Sequence, residues 1–182
     1  MNTSVRDFEL FYNSLMQSAP KGYVPWLFPV KANGKDPDAL AIGMRAGTKS
    51  GCCNADWIKV QRGKYPKTMC SKCGTGKGSW KAPWAKLTKE EVVQRLKEGK
   101  NYGISARKDD PLVIIDKDTL EAEEPKETLT VTSRKRIGKH FFFFTIDERC
   151  KQTIPTGTLG ELRSKDAYVV GAGSYCEVIQ NE

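Results

Sequence analysis

The segment LVIIDKDTL, residues 112–120, places Asp116 and Asp118 one residue apart at the end of an apolar run. Strand side chains alternate faces, so the two carboxylates share a face and Lys117 takes the other. Like charges that close repel, and burial raises their pKa values. A divalent cation with a preference for hard oxygen ligands relieves both costs. A solvated strand end is the plainer alternative, so further residues must decide.

His140 is the only histidine. It follows SRKRIGK, where Ser133, Arg134, Lys135, Arg136, Lys139 and nearby backbone amides could cradle phosphates. Glu161, in GELRS, offers a third carboxylate, with Arg163 two residues on and therefore on the same strand face. Lys35 stands in the turn of WLFPVKANGKDP, near its exposed tip.

These residues need a scaffold. Apolar residues at helical spacing from Val5 to Met16 predict an opening helix, with possible caps at Thr3 and Ser4. In LTKEEVVQRLKEGK, Thr88 with Glu91 forms a capping box and Gly99 can stop the helix. The run 112–118 reads as a strand, TLTVTS and HFFFFTI as a hairpin, and GELRS, AYVVGAG and CEVIQ as short closing strands. The class expected is α+β, helices mostly preceding a largely antiparallel sheet.

The chain's 182 residues suit one domain, 1–182. Hydrophobic residues at 38% and charged residues at 29% fit a globular protein and argue against wholesale disorder. No apolar run approaches the roughly 20 residues of a membrane span, and MNTSVRDFEL lacks the regions of a signal peptide. A cytoplasmic protein with no membrane partner is expected. The formal charge of +8 raises the odds of a polyanionic partner such as nucleic acid, although solvated lysine faces are common.

Residues 46–82 carry no sustained period and hold four of the six cysteines. Cys70 and Cys73 have the spacing of a zinc knuckle half, while the adjacent Cys52 and Cys53 form a less regular second half. The reading is an inserted loop organised by structural zinc, with a disulfide as the alternative. Trp57, Trp80 and Trp84 lie in or beside it and serve either for stacking on template or for packing. Cys150 and Cys176 read as lone buried thiols.

Taken in order, a strand with Asp-x-Asp, a hairpin ending in Gly-x-His before aromatics, and an acidic residue ahead of YVV…GS resemble the archaeo-eukaryotic primase superfamily. The closer resemblance is to the bifunctional primase-polymerase (prim-pol) domain of replication proteins of archaeal plasmids, viruses and phages. LFPVKANGKDP and NYGISARKDDPLVIIDKD look like that family's opening turn and its approach to the first acidic motif. The resemblance implies an RRM-like catalytic core acting as DNA primase and DNA polymerase. It implies that Asp116, Asp118 and Glu161 hold two Mg2+ or Mn2+ ions and that His140 contacts the incoming nucleotide's phosphates. Ser133, Arg134, Lys139, Arg163 and Lys35 are further nucleotide-binding candidates.

The partners so implied are a single-stranded DNA template with its primer, dNTP or NTP, and a helical priming domain and helicase on a longer chain. Two departures stand out: SRKRIGKH is longer than the family's Ser-Gly-Gly-x-His turn, and RSKDAYVV replaces a Gly pair before Tyr168. Competing readings are a non-catalytic DNA-binding zinc module and a metal-dependent nuclease.

Overall fold

The structure is a computed structural model that describes residues 2–45, 80–118, 125, 128–132, 138–147, 154–155 and 160–175, the two-residue strand 154–155 by its backbone alone. All six cysteines and Trp57 lie outside the described residues, as do Ser133 and Arg134.

Helix α1 spans Thr3–Ser18 and buries Val5, Phe8, Phe11 and Leu15, the stripe that its 3.6-residue period sets on one side. Its cap is Asn2, not Thr3 or Ser4: the Asn2 side chain accepts a hydrogen bond from the Ser4 amide at 2.9 Å. The cap thus lies one residue earlier than expected, with the Asn2 side-chain oxygen serving the amide two residues on. Strand β1 is Trp26–Val30. Helix α2, Ala39–Arg45, was not expected from the sequence. Asp38 starts it by accepting from the Ala41 amide at 3.0 Å. Helix α3, Lys89–Lys97, has the reciprocal capping box of Thr88 and Glu91, and Gly99 follows it at φ +69°.

The remaining strands are β2 (Asn101–Ala106), β3 (Leu112–Lys117), β4 (Leu129–Thr132), β5 (Lys139–Phe144), β6 (Ile154–Pro155), β7 (Glu161–Arg163) and β8 (Ala167–Val170). They form two antiparallel sheets, in orders β1-β2-β8 and β4-β5-β3-β7-β6. The α+β class is as read from the sequence, and β4 with β5 is the anticipated pair. A single closing sheet is not what forms. The short connections β2 to β3 and β7 to β8 each carry the chain from one sheet into the other.

Those two connections are bonded to each other. The Asp166 amide donates to Ala106 O at 2.8 Å, the Asp166 carboxylate lies 3.2 Å from Arg107 Nε, and the Lys108 amide donates to it at 3.4 Å. Lys165 and Asp166, with φ of 49° and 70°, make the tight turn after β7, closed by the Ala167 amide on Ser164 O.

The larger core joins α1 and α3 to both sheets through Phe8, Phe11, Leu15, Val92, Leu96, Tyr102, Ile104, Leu112, Ile114, Phe142 and Val169. Phe11 meets Phe142 edge to face at 4.9 Å between ring centres. Burial of each such side chain contributes about 1.5–3 kcal/mol. A smaller cluster of Phe28, Val30, Ile42 and Ala85 is covered by Trp26, Trp80, Trp84 and Tyr168. Trp80 and Trp84 are therefore packing residues: Trp80 stacks on Phe28 and meets Tyr168 edge-on. Among the described residues no helix is long and apolar enough to cross a membrane.

Candidate functional site

Strand β3 lies between β5 and β7, so Ile114, Ile115 and Asp116 have a register neighbour on both sides. On the face turned to α1, Leu112 pairs with Phe144, Ile114 with Phe142 and Arg163, and Asp116 with His140 and Glu161. Directly opposed residues share a face. Three residues from separate segments, 116, 140 and 161, thus form one row across three strands, just beyond the end of the apolar core.

Within the row, His140 Nε2 lies 3.2 Å from Asp116 Oδ1 and Arg163 Nε lies 2.8 Å from Asp116 Oδ2. The second of these is a close ion pair off the hydrogen-bonding direction, because Arg163 Nε has no hydrogen-bond acceptor among the described residues. Arg163 Nη2 donates to Glu161 Oε2 at 2.8 Å, and Nη1 reaches Tyr168 O at 3.5 Å. His140 Nδ1 is buried without a partner among the described residues, so Nε2 is the nitrogen that the site uses.

Asp116 is only 8% exposed. Burial alone pushes its carboxyl up, but the hydrogen bond and charge of His140, joined by Arg163, outweigh that and hold it below the ordinary 3.8. A buried carboxylate kept ionised by two neighbouring groups is the electrostatic signature of the row.

Gly160 brings β7 this close. It has φ +103°, and a Cβ there would come within 2.5 Å of Asp116 O and 3.0 Å of Lys117 Cα. Only glycine accepts both that conformation and that approach.

The other candidates fall at different distances from the row. Asp118 is exposed and follows the last residue of β3. Lys139 pairs with Lys117 on the opposite face, so it stands next to His140 in sequence and across the sheet in space. Lys35 is exposed in its turn, and its carbonyl accepts from the Tyr168 hydroxyl at 3.5 Å. Tyr168 thereby links the Lys35 turn to Arg163.

Sequence reasoning missed two residues that hold this turn. Asn101, 1% exposed, donates to Gly34 O and to Tyr175 O and accepts from the Tyr175 amide. Arg95 Nη2 donates to Val30 O at 2.8 Å and lies 3.4 Å from Asp38 Oδ2. Only the polar Asn opening an otherwise apolar strand, and an Arg late in α3 beside that strand, could have hinted at either.

The donor chemistry at the row suits a hard cation: Asp116 and Glu161 present carboxylate oxygens from adjacent strands. As the side chains stand, these oxygens close on Arg163. Among the described residues, no three His, Cys, Asp or Glu side chains gather where they could hold a metal ion. The four cysteines proposed for zinc lie outside the described residues.

No family model, no curated protein and no solved structure matches the chain.

Proposed function

We propose that the chain is a template-dependent nucleotidyltransferase, a primase-polymerase core of the RRM-like kind, acting in replication of a plasmid or virus. The observation that carries this reading is the cross-strand row. Asp116, His140 and Glu161, singled out from separate sequence motifs, are register partners on one face.

In this reading Asp116 and Glu161, with Asp118 beside them, hold Mg2+ or Mn2+. Such ions polarise a phosphoryl group and stabilise the attacking and leaving oxygens of an in-line displacement. The chain's own residues position and neutralise. His140 Nε2 faces the carboxylates and can donate to a phosphate oxygen. Arg163 supplies a planar fork suited to bidentate phosphate contacts. Lys35 brings a mobile positive charge to the same side through the Tyr168 link. Their role is positioning and charge stabilisation, with no covalent intermediate.

Ser133, Arg134 and Lys139 remain the weaker nucleotide-binding candidates, Lys139 from the opposite face. The charge of +8 suits a single-stranded DNA template and primer held through phosphates, with salt-sensitive binding and little sequence preference. Zinc at Cys52, Cys53, Cys70 and Cys73 completes the proposal as a structural element. A cytoplasmic location fits a replication enzyme.

The test is extension of a labelled primer on a single-stranded template with dNTPs and Mn2+ or Mg2+. Wild type should extend, and the double variant Asp116→Ala/Asp118→Ala should lose at least about 10²-fold, the usual scale for removing a preorganised electrostatic group. No extension by folded wild type that still binds template would overturn the reading in favour of a DNA-binding module. Strand scission without nucleotide would point to a nuclease.

A further inference from the structure

Arg163 stands in the row in an unusual way. One guanidinium joins both carboxylates, with Nε at 2.8 Å from Asp116 Oδ2 and Nη2 at 2.8 Å from Glu161 Oε2. Its side chain is 28% exposed, and Nη1 reaches toward Tyr168 O on β8. Asp116 Oδ2 and Glu161 Oε2, the oxygens it lies against, are the pair that a divalent cation bridging the two strands would take. A guanidinium and a dication on the same two oxygens compete: they claim the same space between the strands, and two cations at contact distance repel.

We propose that Arg163 and a divalent cation are alternative occupants of the Asp116–Glu161 carboxylate pair. Cation binding releases the guanidinium toward Tyr168 and the Lys35 turn. The inference rests on the nucleotidyltransferase reading only for the reason that a divalent ion comes to this pair. The released fork lies on the side of the site where Tyr168 meets Lys35, and a planar guanidinium there is suited to grip a phosphate with two parallel hydrogen bonds. Arg163 then acts as a positioning residue with two sets of acceptors. It balances the charge of the two carboxylates when no dication holds them, and it turns to the substrate's phosphates when one does.

Titration of the full chain with Mn2+ alone, without nucleotide or DNA, tests this by calorimetry or by the loss of the free-ion spin-resonance signal. Arg163→Gln should bind Mn2+ at least about tenfold more tightly than wild type, a change of about 1.4 kcal/mol. Arg163→Lys, which keeps a charge but loses the fork, should fall between them. Adding Asp116→Asn to either variant should abolish the gain. Equal or weaker binding by Arg163→Gln, or no Mn2+ binding by any form, overturns the proposal. Far-UV circular dichroism establishes that each variant is folded, and if the Gln variant is not, the Lys variant decides by the same criterion.

The exchange and the proposed function fail separately. Tighter Mn2+ binding by Arg163→Gln with no primer extension by wild type leaves the exchange standing and removes nucleotidyl transfer. Extension by wild type with unchanged Mn2+ affinity in Arg163→Gln does the reverse.

Discussion

Leu112 and Asp116 belong to the same six-residue strand and the same face, yet they stand in opposite environments. At the Leu112 end the cross-strand neighbours are Phe144 and Phe142, with Tyr23 packed against the first and the helix residue Phe11 against the second. At the Asp116 end they are His140 and Glu161, with Arg163 closing over both carboxylates. Two residue steps separate a dry core from a charged row. One end sets position by packing and the other uses that position for charge, so damage to the first should appear as lost stability and damage to the second as lost binding.

The largest effect should come from the apolar end. Phe142→Ala removes a ring buried against Phe11 and should destabilise by about 3–5 kcal/mol, read from urea unfolding. A loss under about 1 kcal/mol would mean that the core end is not what holds β5 in register.

A smaller effect should come from the joint between the ends. Gly160→Ala puts a methyl group against the Asp116 backbone at a left-handed φ and should cost about 1–3 kcal/mol. Because the clash is with the strand that carries Asp116, Mn2+ binding should fall with stability. Stability lost with metal affinity intact would show that β7 can retreat without disturbing the row.

The smallest effect belongs to the charged end alone. The Asp116 carboxyl lies below its ordinary 3.8 in the folded chain, so its ionised form stabilises the fold at all higher pH. That contribution disappears as the pH falls from about 3.8 through the folded-state value. Urea midpoints taken at stepped acidic pH should fall more steeply for wild type than for Asp116→Asn across that window. Parallel curves would mean that His140 and Arg163 do not hold the carboxylate ionised.

Much of this was legible in the chain. The apolar run opening 112–118, the capping box at Thr88 and the paired segments TLTVTS and HFFFFTI are local signals, decided by local hydrogen bonds and side-chain type. Asp116, His140 and Glu161 were legible as residue types in sequence order, but their shared row is a matter of register between strands far apart in sequence. Helix α2 escaped because its seven residues include Gly43 and its start depends on one Asp side chain. The division into two sheets escaped because it is made by two tight turns that read like ordinary hairpin turns. Arg163 was read as a phosphate ligand, and nothing local says that it lies across two carboxylates.

Those two turns have a mechanical meaning. Asp166 ties the β7–β8 turn to the β2–β3 turn through Ala106, Arg107 and Lys108, so the sheets are fastened at the crossing. The Lys35 turn rides on one sheet and the Asp116 row on the other. Fastened this way, they resemble the fixed jaws of a gauge more than a closing hand. In the proposed function, the two sides of the nucleotide site are thus held at a spacing that the fold sets before a nucleotide arrives.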